Sequence, residues 1–397
     1  MNRPIYLDHH ATTPVDPRVV ESMLPYLGEE FGNASSSTHA YGWRAEAAVE
    51  DARERIAAAI GAAEPGEVVF TSGTTESDNL ALQGVARAAP RRRNHLVTTA
   101  IEHHAVLDTC RALESAGFAV TYVPVDSNGL IDPRDVARVL SEHTALVSVM
   151  VANGEIGAVQ PLREIAALCR ERGVPLHTDA AQAVGKIPVD VRDAGVDFLA
   201  FCAHKLYGPK GIGALYVRSG RPRLRLTPLL HGGGQERGLR SGTLPVALIV
   251  GFARAVELCA EEMKSEASHA LALRERLWNH LQSDLEGVQL NGHSLRRLPG
   301  NLNVSFAGTD AAALLMALDG VALSTGSACA SGRAEPSHVL AALGLPPALA
   351  RGAIRFGIGR GNTPEEVDCV AEQLVAAVRT HRRQRGTSAG GGPALEN

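Results

Sequence analysis

The sequence predicts an α/β fold, in which helices cover both faces of a mostly parallel sheet and a smaller α+β domain follows. Two observations predict this arrangement. Short apolar runs of strand length alternate with amphipathic segments of helix length, which is the pattern of repeated strand–helix–strand units. After about residue 250 the alternation stops, and a long helical pattern precedes one strand pattern and a final helix.

The inner strands are predicted from apolar runs bounded by polar or glycine-containing turns. In chain order these runs are "EVVFTSG", "NHLVTTA", "TALVSVMVA", "VPLHTDA" and "VDFLAFCAHK". Helical patterns lie between them, including "DPRDVARVLSEH" and "LREIAALCRERG". An earlier helix, "GWRAEAAVEDARERIAAAIG", is predicted to end at Gly61 and to bury one face, formed by Val49, Ala52, Ile56 and Ile60.

The second domain is predicted from the helix "ALALRERLWNHLQS", the strand "GNLNVSF" and the helix "TPEEVDCVAEQLVAAVRTH". The last helix begins with a capping box, with Thr363 as N-cap, Pro364 at the first position and Glu366 at the third. Its apolar face consists of Val367, Val370, Leu374 and Val378.

We divide the chain into four parts. Residues 1–14 form an N-terminal segment that joins the small domain, and residues 15–260 form the large domain. Residues 261–381 form the small domain, which carries a loop rich in serine, glycine and alanine at about 322–338. Residues 382–397 form a glycine-rich polar tail that is predicted to be disordered.

Composition excludes several classes of protein. A hydrophobic fraction of 45% is ample for a large core, and a net charge of -4 gives no reason to expect nucleic acid or an anionic membrane as partner. Neither a signal peptide nor a run of about 18 apolar residues is found. The six cysteines show no CxxC or zinc-binding spacing, so we expect no metal and no disulfide framework. We therefore predict a cytoplasmic protein.

Polar residues follow three of the strands, where ligands of such sheets bind. The turn "TSGTTESDNLAL", with Gly73 and Thr74, leads directly into a helix whose free N–H groups suit a phosphate, although Ser72 or Thr74 could be an ordinary N-cap. Asp179 follows the next of these strands, either as a buried carboxylate paired to a cation or as a helix cap.

The third residue is Lys205, which ends the strand "VDFLAFCAHK". A lysine there can form a Schiff base with a carbonyl cofactor, whereas Lys210 is expected to be an ordinary exposed lysine. Together the lysine, the acid and the phosphate turn select pyridoxal 5'-phosphate (PLP). The lysine would hold its aldehyde, and the acid would keep its ring nitrogen protonated, which makes the ring an electron sink.

Long motifs extend from "IYLDHHATTPVDPRV" to about residue 380. They are "FTSGTTESDNLA", "IEHHAVLDTC", "HTDAAQAVGK", "HKLYGPKGIGALYV", "HGGGQERGLRSGTLP", "STGSACASG" and "IRFGIGR". In these motifs the chain resembles the cysteine desulfurases of the NifS/IscS type, in the class V aminotransferase superfamily. The resemblance implies the PLP-dependent transferase fold type I, a homodimer and conversion of L-cysteine to L-alanine.

The resemblance also implies roles around the cofactor ring. Lys205 would be the Schiff-base lysine, and Asp179 would pair with the ring nitrogen. Gln182 would hydrogen-bond the ring hydroxyl. His103 would stack on the ring and assist proton transfers, whereas His104 would be incidental.

Further roles concern the phosphate and the substrate. Thr75 and His204 would bind the phosphate together with the Gly73 turn, and Thr243 would reach the phosphate bound by the other subunit. Arg355 would hold the substrate carboxylate, because its planar fork matches two oxygens.

Two positions depart from the family pattern. Gly154 replaces an asparagine that usually contacts the ring hydroxyl, and we assign its neighbour Asn153 to substrate binding as the residue that could compensate. Cys202 and Ala203 replace the usual Ser-Gly before His204, so one phosphate hydrogen bond is weakened. Each lost neutral hydrogen bond costs about 1 kcal/mol of cofactor binding.

The resemblance gives Cys329, in "STGSACASG", the role of nucleophile. Its thiolate would accept the substrate sulfur as a persulfide, and the loop would carry that sulfur to an acceptor protein, such as an iron–sulfur scaffold. The other five cysteines are interpreted as core residues. Alternatives are a selenocysteine lyase or a transaminase, which would not need Cys329, and a non-catalytic dimeric scaffold for sulfur-transfer partners.

Overall fold

The computed structural model describes residues 4–220, 223–325 and 337–389, with side chains to residue 385. It confirms an α/β fold with a mostly parallel central sheet. The strands are β1 Ile5–Tyr6, β2 Val68–Thr71, β3 His95–Thr99, β4 Ala119–Val123, β5 Thr144–Ser148, β6 Leu176–Asp179, β7 Phe198–Cys202, β8 Gly213–Val217, β9 Val288–Leu290, β10 Asn301–Phe306, β11 Val321–Ala322 and β12 Ala353–Gly357. The helices are α1 Pro17–Leu27, α2 Ala40–Ala59, α3 Thr74–Ala88, α4 His104–Ser115, α5 Pro133–Val139, α6 Leu162–Glu171, α7 Val191–Ala194, α8 Val246–Asp284, α9 Ala311–Ala317, α10 His338–Ala342, α11 Pro347–Ala350 and α12 Pro364–Ala389.

The large sheet has seven strands in the order β2-β8-β7-β6-β5-β3-β4. Strands β3 to β7 pair in parallel, and β8 is antiparallel to both β2 and β7. All five strands predicted from the sequence belong to this sheet. Since β6 and β7 are parallel neighbours, with Asp179 paired to Ala200, the residues that follow both strands meet at one edge of the sheet.

The core of the large sheet forms as the apolar pattern of α2 predicts. The four residues of its predicted face are at most 1% exposed, and Gly61, just beyond the helix, has φ +72°. A left-handed residue at this position ends a helix with little strain only when it is glycine.

A second core lies on the antiparallel sheet β12-β10-β9. Leu7, from the N-terminal segment, is buried in it, and β1 pairs in parallel with β11. The helix α8 is a continuous 39 residues and contributes Phe252 to the first core and Leu277 to the second. It passes through the predicted boundary at 260/261 without a break, and the domain limits stay a prediction.

The capping box of α12 is confirmed. The Glu366 amide donates to Thr363 Oγ1 at 3.3 Å, and Glu366 Oε2 accepts from the Thr363 amide at 3.2 Å. The helix continues to Ala389, so the residue predicted as the start of the disordered tail, residue 382, is too early. Arg382 explains the extension in part, because it donates to the carbonyls of Ala307 and Glu286. Residues 390–397 lie outside the described part of the chain.

Four of the cysteines interpreted as core residues are buried, namely Cys110, Cys169, Cys202 and Cys259. The prediction is wrong for Cys369, which is exposed because α12 turns Val367 and Val370 inward and residue 369 outward. Within the described residues no helix is both long and apolar enough to cross a membrane. The same residues contain no cluster of three or more His, Cys, Asp or Glu side chains that could hold a metal ion.

Candidate active site

A cavity of ≈ 730 Å³ lies at the edge of the sheet where β6 and β7 end. Its walls bring together most of the residues predicted for the site, which are Gly73, Thr74, Thr75, His103, Asn153, Asp179, Gln182, Cys202, His204, Lys205 and Arg355. Thr243 is exposed and does not line this cavity, and Cys329 lies outside the described residues.

The start of α3 forms one end of the cavity. Gly73 is the N-cap, with φ +156°, and no side chain caps the helix, so the alternative of an ordinary cap by Ser72 or Thr74 is wrong. A Cβ at Gly213, on the neighbouring β8, would lie 2.7 Å from the Gly73 Cα, so this turn packs closely on the sheet. The first amides of α3, together with the helix dipole, form an anion-binding site open to the cavity.

Asp179, at the end of β6, also lines the cavity. Its side chain is buried, and Oδ1 accepts a hydrogen bond from the Ala181 amide at 2.8 Å. Burial raises the pKa of this carboxyl, while the nearby His103, the Ala181 amide and Lys205 oppose the rise. The residue thus caps the following turn and also presents a buried acid that favours a cationic partner.

Lys205 enters the cavity from the short turn after β7. Its Nζ donates to the backbone carbonyls of His10 at 2.6 Å and Ala11 at 2.7 Å. Both carbonyls belong to the N-terminal segment, whose part in the site the sequence analysis missed. The signal was present, because the polar run "DHHATTP" directly follows a strand pattern.

The same segment holds two further polar contacts. Thr12 Oγ1 lies 3.1 Å from His204 Nδ1, and burial lowers the pKa of His204 to about 4, so its imidazole is neutral at pH 7. Asp8 holds Arg355, whose Nη2 donates to Asp8 Oδ1 at 2.8 Å and to Ser324 Oγ at 2.9 Å. The N-terminal segment therefore contacts both the phosphate end and the arginine end of the cavity.

Arg355 lies on the buried strand β12 with its side chain 5% exposed. Its Nη1 also donates to the Gly154 carbonyl at 3.4 Å. Among the described residues, its Nε has no hydrogen-bond partner. Since three contacts fix the guanidinium and Nε is left without a hydrogen-bond partner, the side chain is preorganised to receive an acceptor such as a carboxylate.

His103 is the N-cap of α4, and its Nδ1 accepts from the Ala105 amide at 3.1 Å. In the neutral ring the proton therefore lies on Nε2. His104, expected to be incidental, also lines the cavity, where its ring meets His338 edge-on at 4.9 Å between centroids, and its Nδ1 lies 3.8 Å from the Asp108 carboxylate. Lys210 is exposed, as predicted, and lies at the mouth of the cavity.

Asn153, the neighbour of Gly154, and Cys202 differ in their surroundings. Asn153 uses both ends of its amide on the backbone, donating to Ile101 O at 2.8 Å and accepting from the amides of Glu155 and Ile156. It therefore supports the turn that carries Gly154. Cys202 is 2% exposed, and burial raises the pKa of its thiol, which stays protonated at neutral pH.

Two buried carboxyls beside the cavity were missed by the sequence analysis. Glu102 accepts from Thr99 Oγ1 and from the Met150 amide, both at 2.9 Å, and burial raises its pKa to about 8. Burial also raises the pKa of Glu155, against a hydrogen bond from Ser337 and the charge of Arg355. Both follow predicted strands, Glu102 two residues after "NHLVTTA" and Glu155 three residues after "TALVSVMVA", so a signal was present that the sequence analysis did not use.

The residues present fit PLP. An uncapped helix start with a glycine turn suits its phosphate, a buried acid suits its protonated ring nitrogen, and Lys205 suits its aldehyde. The preorganised Arg355 adds a subsite for a substrate carboxylate.

Comparisons with known proteins agree with this site. The family model of the class V aminotransferases matches residues 5–370. A mitosomal cysteine desulfurase of Encephalitozoon cuniculi is 53% identical over 95% of this chain and 87% of its own length. The cysteine desulfurase of Mus musculus is 52% identical over 96% of this chain and 82% of its own.

Two solved structures are also similar. A NifS-like protein superposes with a TM-score of 0.88 at 39% identity, covering 95% of this chain and 100% of its own. SspA in complex with cysteine superposes with a TM-score of 0.79 at 39% identity, covering 90% and 100%. The fold is that of the class V aminotransferases, a family of PLP-dependent enzymes. Within it, the chain belongs to the cysteine desulfurases.

Proposed function

We propose that this protein binds PLP through Lys205 and uses it to convert L-cysteine to L-alanine, transferring the sulfur to Cys329. The observation that carries the proposal is the convergence in one cavity of Lys205, Asp179, the open start of α3 and Arg355. None of these alone selects a cofactor, but their combination matches its aldehyde, ring and phosphate.

When bound, PLP supplies an electron sink for bonds at the substrate's α-carbon. The chain's own residues provide the setting for that chemistry. Asp179, when ionised, would hold the proton of the ring nitrogen. The amides of Thr74 and Thr75 would receive the phosphate, and the Gln182 amide would donate to the ring oxygen. His103 would assist proton transfers through Nε2, because its Nδ1 accepts from the Ala105 amide.

Arg355 would bind the carboxylate of L-cysteine. Asp8 and Ser324 hold its Nη2, and the unsatisfied Nε leaves a donor for the substrate. A carboxylate bound at this place orients the amino group of the substrate toward Lys205, because both side chains line the same cavity.

The sulfur transfer requires a thiolate. The thiolate of Cys329 would form an S–S bond to the substrate sulfur, and the C–S bond would break with its electron pair left on the carbon that becomes the methyl group of alanine. A proton completes that methyl group, and the sulfur remains on Cys329 as a persulfide.

Chain length supports Cys329 in this role. Five residues separate it from Ser324, so covalent geometry keeps it within about 18 Å of a residue that contacts Arg355. On its other side the described chain resumes at Ser337, which hydrogen-bonds Glu155 in the cavity wall.

The test is to load the protein with PLP, add L-cysteine, and measure alanine, the absorbance of lysine-bound cofactor, and persulfide by mass spectrometry. We expect one alanine and one persulfide on Cys329 in a single turnover without reductant. A Cys329→Ser variant should bind cysteine with similar affinity and lose turnover by orders of magnitude, because a serine hydroxyl is a poor nucleophile toward sulfur.

Two outcomes would contradict the proposal. Alanine formation by Cys329→Ser at near the wild-type rate would favour a transaminase-like activity. A colourless protein that takes up no PLP would favour a non-catalytic scaffold. The homodimer, the sulfur-acceptor protein and the cytoplasmic location remain predictions.

A further inference from the structure

Lys186 is one of four lysines in the chain and has no part in the function proposed above. It lies four residues beyond Gln182, in the turns that follow β6, and lines a small cavity of ≈ 40 Å³. Its Nζ donates to Gln182 Oε1 at 2.9 Å. Burial lowers the pKa of Lys186 to about 7, and its amino group can donate in both protonation states.

The Gln182 amide is held by three contacts. Besides Lys186, His10 Nδ1 lies 3.0 Å from the same Oε1, and Gln182 Nε2 donates to the His10 carbonyl at 3.0 Å. When Lys186 is protonated, its ammonium group can only donate, so the Gln182 atom that faces it is the oxygen. His10 Nδ1 must then carry the proton, and burial lowers the pKa of His10 well below its ordinary value, so the ring is neutral.

This arrangement leaves one N–H of Gln182 for a ligand. Nε2 carries two hydrogens, and the His10 carbonyl takes one of them. Two donors on Oε1 also polarise the amide, which strengthens the remaining N–H as a donor. A flipped amide would present an oxygen to the cavity and would repel an anionic ring oxygen.

Gly154 makes room for this arrangement. A Cβ at residue 154 would lie 2.9 to 3.0 Å from Nε2, Cδ and Cγ of Gln182. The glycine also brings no side chain of its own, so the donation expected from an asparagine at this position is missing. The ring oxygen then depends on Gln182 more heavily than in relatives that keep both residues.

We propose that Lys186 is a positioning residue that orients and polarises the Gln182 amide toward the ring oxygen of the cofactor, in compensation for the side chain missing at Gly154. The inference rests on the proposed function, because it concerns the same cofactor. It adds a role to a residue outside the main cavity, acting through one hydrogen bond.

The test is a pH titration of the absorbance of the lysine-bound cofactor in wild type, Lys186→Met, Gln182→Leu and the double variant. A donor to the ring oxygen lowers its basicity, so losing the donor should raise the titration midpoint, by about one pH unit for a hydrogen bond to a charged group. Both single variants should show the rise, and Lys186→Met should add little in the Gln182→Leu background. Lys264→Met, an exposed lysine on α8, is the matched control and should titrate like wild type.

Two results would overturn the inference. One is an unchanged midpoint in Lys186→Met. The other is the same shift in both backgrounds, since Lys186 would then act through its charge and not through Gln182. A wild type that takes up no cofactor would instead contradict the proposed function. In that case the side-chain amide resonances of Gln182 in the apoprotein still test the inference, because Lys186→Met should shift them and Lys264→Met should not.

Discussion

The chemistry of individual pocket residues depends on which of the buried groups carry charge. Burial raises the pKa of three carboxyls, Asp78, Glu102 and Asp179, and the charge of Asp179 raises the pKa of the other two further. Asp179 differs from the other two because the charges of His103 and Lys205 favour its ionised form. The pocket therefore concentrates its negative charge on the carboxyl placed for the ring nitrogen.

Lys205→Ala should abolish turnover and leave PLP bound only non-covalently, because no other amine would hold the aldehyde. Borohydride reduction followed by mass spectrometry locates the lysine-bound cofactor among only four lysines. The exposed Lys210, five residues away, is the matched control, and Lys210→Ala should keep the adduct. An adduct on Lys186, Lys210 or Lys264 of the wild type would contradict the assignment of Lys205 as the Schiff-base lysine.

Glu102 should make the folded state less stable as pH rises. Its folded pKa of about 8 exceeds the ordinary value of 4.5, so the folded state holds a proton that the unfolded state releases between these values. Stability is therefore lost through this window as pH increases, by an amount on the order of a few kcal/mol.

Urea unfolding at pH 5, 6.5 and 8 measures the effect, and Glu102→Gln removes the titrating group while keeping its shape. The variant should lose less free energy of unfolding than wild type between pH 5 and 8. Asp78, Glu155 and Asp179 remain in both proteins, so the difference isolates Glu102. Parallel pH curves for the two proteins would contradict the assignment.

Helices and strands differ in how far the sequence predicts them. The five predicted strands of the large sheet are predictable because strands buried on both faces read as continuous apolar runs. Strand β12 is also fully buried, but Arg355 interrupts its apolar pattern, and the partner that permits this charge, Asp8, lies 347 residues away. The site residues at strand ends were predictable for the same reason as the strands. The polar run of the N-terminal segment gave a signal, but its partners Lys205 and Arg355 could not be read from it, because these contacts are long-range.

The loop 231–245, which carries Thr243, is attached to the sheet by a buried ion pair. Arg53 on α2 donates to both carboxylate oxygens of Glu236 at 2.8 Å and to the Val68 carbonyl, and Glu236 also accepts from the Phe70 amide. Arg240 of the same loop pairs with Glu76 in the first turn of α3. These contacts fix the base of the loop beside the predicted phosphate site.

Arg53→Met should lower the free energy of unfolding by about 3–5 kcal/mol, because it leaves the Glu236 carboxylate buried and unpaired. The Arg53→Met/Glu236→Gln double variant should regain part of the loss. Arg55→Met is the control, since this arginine pairs on the surface with Asp51 and Glu257 and should cost less than about 1 kcal/mol. Equal losses of unfolding free energy for Arg53→Met and Arg55→Met would show that the buried ion pair stabilises the fold no more than the exposed one.

The whole molecule is tied together by elements shared between its two cores. The helix α8 contributes to both, and the N-terminal segment buries Leu7 in the smaller core while its next residues line the cavity. The cavity wall thus combines the sheet edge with Arg355 from the smaller core. Thr243 is exposed and does not line this cavity, so we predict that it contacts the phosphate bound by the partner subunit.

A mixed dimer tests that prediction. Thr243→Glu should weaken PLP binding by placing a negative charge beside a phosphate, and Lys205→Ala should be inactive. If Thr243 serves the other subunit, a dimer of one Lys205→Ala and one Thr243→Glu chain has one intact site and should recover about half of the wild-type activity. If Thr243 serves its own subunit, or if the protein is monomeric, mixing the two variants recovers nothing. Size-exclusion chromatography with light scattering distinguishes these last two cases.

The contact between Asp8 and Arg355 also bears on when the pocket can exist during biosynthesis. Its two residues are made 347 positions apart, which at about 5–20 residues per second corresponds to roughly 20 to 70 seconds on a ribosome. Lys205 is synthesised well within that interval, before β12 has been translated. A nascent chain therefore carries its reactive amine without the finished enclosure, and an aldehyde captured at that stage would meet neither Arg355 nor the strand that carries it. The pocket is therefore completed late in translation, because the codons for Asp8 and Arg355 lie far apart on the messenger RNA.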